Sequence, residues 1–226
     1  MPRFPLHRTL GPLGVTAKVA SSWWLSGGIS ASNAVAAYAP KGAASLAASY
    51  TNLANPGTYD AAPGVAPTFD TSTGWTFNGT THYLTTGITP EDGWSAIVRF
   101  SGAANNGLAI FGTSNNPGGA YKCFWLIAND GSKVQYGHQG ALYRVPGMAS
   151  GVLAFAGQQG YRDGAADGGA IPTSSGSYPY TVFLGATNFS GGAANKWPGV
   201  ICALAFYNTT LSAAQVAAVT TAMNAL

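Results

Sequence analysis

Charge is what this sequence has least of. Aspartate, glutamate, lysine and arginine together make up 8% of the 226 residues, and glutamate occurs once, as Glu91. Asp60, Asp70, Glu91, Asp92, Asp130, Asp163 and Asp167 are therefore the whole stock of carboxylates for acid–base or metal chemistry. Cysteine is equally sparse. Cys123 and Cys202 cannot define a disulfide scaffold, and they are either small buried hydrophobes or one bridge across the fold. No apolar run is long enough to span a membrane. No basic helix, zinc-ligand spacing or aromatic RNA-binding motif is present, which argues against a nucleic-acid partner. With so few ionic groups, neutral hydroxyls and amides must finish the surface. That fits an assembled or extracellular setting better than a crowded cytosol.

The charge that is present is unevenly placed. Arg3, Arg8, Lys18 and Lys41 all precede the first acid, Asp60. Residues 1–22 hold Pro2, Pro5 and Pro12, which exclude helix, and their apolar residues show no period, so an extended arm is expected there. The same stretch has no continuous apolar core and is not read as a signal peptide. Arg3, His7, Arg8 and Lys18 would give such an arm its means of docking on an acidic surface.

The remainder, 23–226, reads as one domain with no linker. Around its centre, WTFNGTTHYL and WSAIVRF alternate apolar and polar positions. Trp94, Ala96, Val98 and Phe100 fall on one face. Asn78-Gly79 predicts a two-residue hairpin turn between strands. Strands are expected near 35–38, 108–111, 121–128, 133–137, 141–145, 151–156, 160–162, 180–184 and 200–207, with a long loop over 55–70. In 121–128, Cys123, Trp125 and Ile127 oppose Phe124 and Leu126. Short strands with Gly-rich turns and almost no helix predict an all-β antiparallel sandwich or jelly roll. One helical turn is expected near 43–50. A single clear helix closes the chain, announced by the S-x-x-Q capping pattern of Ser212 and Gln215 and by Val216, Val219 and Met223 on one face. It is expected to pack across one end of the sandwich.

Four stretches carry a resemblance: FNGTTHYL (77–84), WSAIVRF (94–100), GYRDGAADG (160–168) and, most specifically, ALAFYNTTLSAAQVAAV (203–219). They resemble the laminin-G-like members of the concanavalin-A-like superfamily over roughly residues 30–226. The resemblance implies two curved antiparallel sheets and recognition of glycans or proteins on a surface. The leaderless basic arm joined to this low-charge sandwich is also similar to accessory structural proteins of tailed bacteriophages. It implies a virion-surface or tail-associated protein, with the arm anchored in a particle or surface assembly and the sandwich facing outward. A free or cell-surface lectin or adhesin is the alternative, and self-association stays open.

Hydrolases of the superfamily carry E-x-D-x-E on one strand, and no two carboxylates here share such a strand, so the chain is expected not to be an enzyme. His7, His82 and His138 lie in separate segments with no nucleophile motif. No cofactor is expected. Calcium is the one metal with any footing, through Asp163 and Asp167 in a Gly-rich hairpin, as relatives of this superfamily imply. For glycans, rings at loops and rims are the expected platform: Tyr143, Tyr161, Tyr178 and Trp197 first, with Tyr59, Trp75 and Phe189 as further candidates.

Overall fold

The computed structural model describes residues 22–115, 122–178 and 180–226. Arg3, His7, Arg8 and Lys18, and with them the expected arm, lie outside the described residues. Two eight-stranded sheets make up the fold. The first holds β1 (Ala34–Tyr38), β3 (Thr68–Asp70), β4 (Gly74–Asn78), β6 (Ser95–Ser101), β10 (Gly151–Ala156), β11 (Gln159–Arg162), β12 (Ala165–Ala170) and β16 (Pro198–Tyr207). The second holds β2 (Ala62–Val65), β5 (Tyr83–Thr85), β7 (Ala109–Asn115), β8 (Lys122–Ile127), β9 (Val134–Arg144), β13 (Phe183–Leu184), β14 (Thr187–Phe189) and β15 (Gly192–Ala194). Pairing is antiparallel except between β7 and β14, which run parallel.

The sandwich follows from period two. In β6, Ala96, Val98 and Phe100 enter the core between the sheets while Ile97 turns to the far face. In β8, Phe124 and Leu126 enter it while Cys123, Trp125 and Ile127 face away. The core is largely aromatic: Phe124 stands edge-on to Phe155 at 4.9 Å, and Phe111 edge-on to Phe206 at 5.2 Å. The β11–β12 hairpin turns through Asp163 and Gly164, both at positive φ, as an Asp-Gly turn requires.

The closing helix, α2 (Ala213–Asn224), has its capping box. The Gln215 N–H donates to Ser212 Oγ at 3.3 Å, and the Ser212 N–H donates to Gln215 Oε1 at 2.9 Å. Val216, Val219 and Met223 pack with Ile97, Val152, Ala203 and Ala205 on the outer face of the first sheet. Trp23 and Trp24, in a single 3-10 turn at Trp23–Leu25, complete that layer. The helix thus covers a face and not an end, because the outward positions of β6, β10 and β16 are apolar and need cover.

Three further expectations change. Asn78-Gly79 is no hairpin turn, since β4 and β5 belong to different sheets. The Asn78 Oδ1 instead accepts from the N–H groups of Thr80, Thr81 and His82, and this wide turn carries the chain from one sheet to the other. The stretch 55–70 is no continuous loop, because it contains β2 and β3. The two strands expected at 133–137 and 141–145 are one eleven-residue strand, β9. The expected turn at 43–50 is α1 (Leu46–Ser49), capped by Ser45.

Candidate functional site

Beyond the C-terminal end of α2 the outer face of the first sheet is no longer covered, and a groove opens there. It has two adjoining halves, of about 410 and about 350 Å³, and Lys41 lines both. Clefts of this size are ordinary for small ligands. The larger half is mainly apolar, with Trp23, Ala39, Ala43, Ala48, Leu53 and Leu226 around it. The smaller is polar, with Ser72, Thr73, Arg99, Ser101, Ser150, Cys202 and Asn224.

Local structure fixes each wall. After β1 the Lys41 N–H donates to the Cys202 carbonyl at 3.2 Å and the Gly42 N–H to the Thr71 carbonyl at 2.7 Å, tying the Pro40-Lys41-Gly42 turn to β16 and to the β3–β4 turn. Gly42 stands at φ +89°, which suits glycine. Thr71 Oγ1 donates to the Ala43 carbonyl, and the Leu53 N–H to the Ala37 carbonyl, both at 2.8 Å. Underneath, Trp75 Nε1 donates to Ser49 Oγ at 2.7 Å, anchoring α1 to the core. On the helix side, Arg99 Nη1 donates to the Met223 carbonyl at 3.0 Å, the usual complement of a cation to a helix C-terminus.

Electrostatically the groove is cationic. Neither Lys41 nor Arg99 pairs with a carboxylate side chain, although Arg99 Nη1 also lies 3.4 Å from the main-chain oxygen of Leu226; the side-chain ion pairs among the described residues are Lys122–Asp92 and Arg162–Asp167. No carboxylate side chain lines either half. Burial pushes the Cys202 thiol up, while Arg99 and Lys41 beside it pull the other way. Trp23 is 3% exposed, and its indole N–H has no acceptor among the described residues. An acceptor reaching such a buried donor would relieve a penalty of about 1–3 kcal/mol.

The rings expected to bind glycans do not meet on one surface. Trp197 is fully buried against Phe77 and Phe100, so no sugar can stack on it. Tyr178 is in the core: its hydroxyl accepts from the Gln139 N–H at 2.8 Å and its ring lies 4.7 Å from Lys122 Nζ. Tyr161 is buried in the layer with α2. Trp75 is likewise internal. Tyr143, half exposed on β9, keeps a free ring face, as do Tyr59 in the loop before β2 and Phe189 at the end of β14. The candidate calcium ligands are already engaged. Asp167 Oδ2 accepts from Tyr136 Oη at 2.8 Å and pairs with Arg162 at 2.9 Å, and Asp163 Oδ1 accepts from the Val152 N–H at 2.8 Å. No three His, Cys, Asp or Glu side chains gather as a metal site among the described residues. Cys123 and Cys202 are not bridged. The groove residues escaped the sequence reading, although one signal pointed there: Arg99 is the sole charge in an otherwise apolar strand.

No protein-family model matches the sequence, and no curated protein matches it. Solved structures do share the fold. A mutant of Trypanosoma rangeli sialidase displaying trans-sialidase activity matches with a TM-score of 0.60 and 15% identity, over 83% of this chain and 32% of that one. Trypanosoma rangeli sialidase in complex with sialic acid matches at 0.55 and 15%, over 84% and 33%. Domain 4 of AbnA, a GH43 extracellular arabinanase from Geobacillus stearothermophilus, in complex with arabinotriose, matches at 0.55 and 13%, over 83% of this chain and 98% of that domain. The chain thus spans about a third of the sialidases it resembles. These likenesses overturn the expectation that the chain is no enzyme, because the fold is carried by enzymes. The missing carboxylate pair of one hydrolase family does not reach them. Nothing in the likenesses supports a place on a phage particle. They establish a sandwich shared with carbohydrate-active proteins.

Proposed function

We propose that this chain is a saccharide-recognition domain whose ligand lies in the groove at the end of α2, and that it serves a carbohydrate-active protein or a surface assembly. The observation that carries the reading is the division of the groove. One half offers the aliphatic walls of Ala39, Ala43, Leu53 and Leu226 to the C–H face of a sugar, and the other offers hydroxyl, amide and ammonium groups to its oxygens. The likeness to an arabinanase domain solved with arabinotriose supports it. The closing strand and helix, β16 and α2, agree with a laminin-G-like placement of the module, a class used for recognition.

Calorimetric titration of the full chain with a panel of oligosaccharides tests the reading. Ala48 is exposed at the apolar half, so Ala48→Trp fills the cleft without entering the core. The expected result is saturable binding that this variant weakens at least about tenfold, equivalent to about 1.4 kcal/mol, with Tyr143→Ala unchanged. Binding lost in Tyr143→Ala and kept in Ala48→Trp would move the site to the rim and sink the groove.

A further inference from the structure

Resting on the groove just described, we infer that the saccharide it takes is acidic, with a sugar carboxylate or sulfate seated between Lys41 and Arg99. Both cations line the polar half and both act on the Cys202 thiol between them. Lys41 is fixed through its own backbone, whose N–H donates to the Cys202 carbonyl, so its ammonium is not needed to hold the turn. That ammonium has no partner among the described residues. Arg99 spends Nη1 on the main-chain oxygens of Met223 and Leu226, and its Nε and Nη2 have no partner among the described residues. A guanidinium held at one end with its other edge free presents the planar fork that pairs with an oxyanion.

The neighbouring side-chain carboxylates do not pair with either cation. Asp70 precedes Ser72 and Thr73 of the groove, and its Oδ1 accepts from the Ser72 N–H at 2.7 Å and from the Ser72 hydroxyl. Asp163, which approaches Gly151 at the groove's edge, is taken by the Val152 N–H. The hydroxyls of Ser101 and Ser150 and the Asn224 amide then serve the neutral oxygens of the same sugar. A neutral saccharide would use those groups and the apolar half, and would leave the Lys41 ammonium and the free edge of Arg99 unmatched in a partly enclosed site.

The test titrates the full chain with trigalacturonate, with a sulfated galactotriose and with neutral arabinotriose, at about 50 mM and about 500 mM salt. The expected result is that at least one acid binds ~10-fold or more tighter than arabinotriose at low salt, and that the advantage shrinks at high salt as screening requires. Which acid leads tells carboxylate from sulfate. Lys41→Glu removes the advantage of the acids over arabinotriose, while Lys41→Arg keeps it. Arabinotriose binding as tightly as both acids, or an acid advantage that survives Lys41→Glu, overturns the inference and leaves saccharide recognition standing. Failure of all three sugars, and of the wider panel, removes both readings.

Discussion

His138 shows how much of this protein's behaviour rests on single buried polar groups. It lies on β9 in the core, fully buried, with its ring 5.3 Å from Phe155 and its Nδ1 3.1 Å from Gln158 Nε2. Burial lowers its pKa from 6.5; the Glu91 and Gly157 carbonyls and Asp92 oppose that shift, and Lys122 adds to it. The sign follows directly. As pH falls, the unfolded chain takes the proton first, so this contribution is complete above about pH 6.5 and is lost as pH drops below it. Denaturant titrations at pH 7.5, 6.5 and 5.5 are expected to show stability falling below pH 6.5. In His138→Gln, which cannot titrate, that part of the slope disappears; equal slopes in both proteins would assign the acid sensitivity elsewhere. The sequence left His138 between the strands expected at 133–137 and 141–145, in a segment with no nucleophile motif, and could not tell an inward from an outward ring. The same limit misplaced Trp197. Gly199, where a Cβ would meet the Trp197 ring, gives that indole room in the core, and only the tertiary packing shows it.

Among the elements, α2 was the most legible because its signals are local: a cap, a period and a bounded length. Ser212→Ala is expected to cost about 1 kcal/mol, read as a lower denaturant midpoint at unchanged slope, since it strips the acceptor from the Gln215 N–H. An unchanged midpoint would show that the cap contributes nothing to folding. The strongest strands, β1, β6, β8, β10 and β16, were equally readable from alternation. β9 was not, because Gly137 and Gly140 read as punctuation. Both glycines are there for closeness: a Cβ on Gly137 would stand 2.4 Å from the Trp125 ring, and one on Gly140 would stand 2.6 Å from the Pro172 carbonyl oxygen. β2, β3, β14 and β15 were missed for a related reason. Each is three or four residues long, and pairing with a neighbouring strand, not pattern, defines it. Asn78 is the converse case, in which a strong local signal for a hairpin yields to the side chain's own hydrogen bonds.

At the scale of the molecule, the two sheets divide the surface into unlike outer faces, and the two thiols report on them separately. Cys123 faces outward from the second sheet, fully buried, with its thiol donating to the Gly140 carbonyl at 3.3 Å. Cys202 lies on the first sheet, half-buried in the groove between Lys41 and Arg99. With the aromatic core between the sheets no bridge can form, so a reductant should leave the melting temperature unchanged. A thiol reagent should label Cys202 alone in the native protein and both residues in denaturant. Because burial raises the Cys202 pKa, labelling at neutral pH should be slow and should quicken as pH rises. This thiol is also a reporter on groove occupancy that needs no assumption about which sugar binds. A saccharide seated beside Lys41 must cover the Cys202 sulfur, so saturating ligand should slow its labelling severalfold while the denatured rate stays fixed. Mass-spectrometric counting of labelled thiols with and without the ligand decides it. If bound saccharide leaves the Cys202 rate unchanged, the ligand sits elsewhere on the sandwich, and the groove loses its assignment even though recognition itself is real.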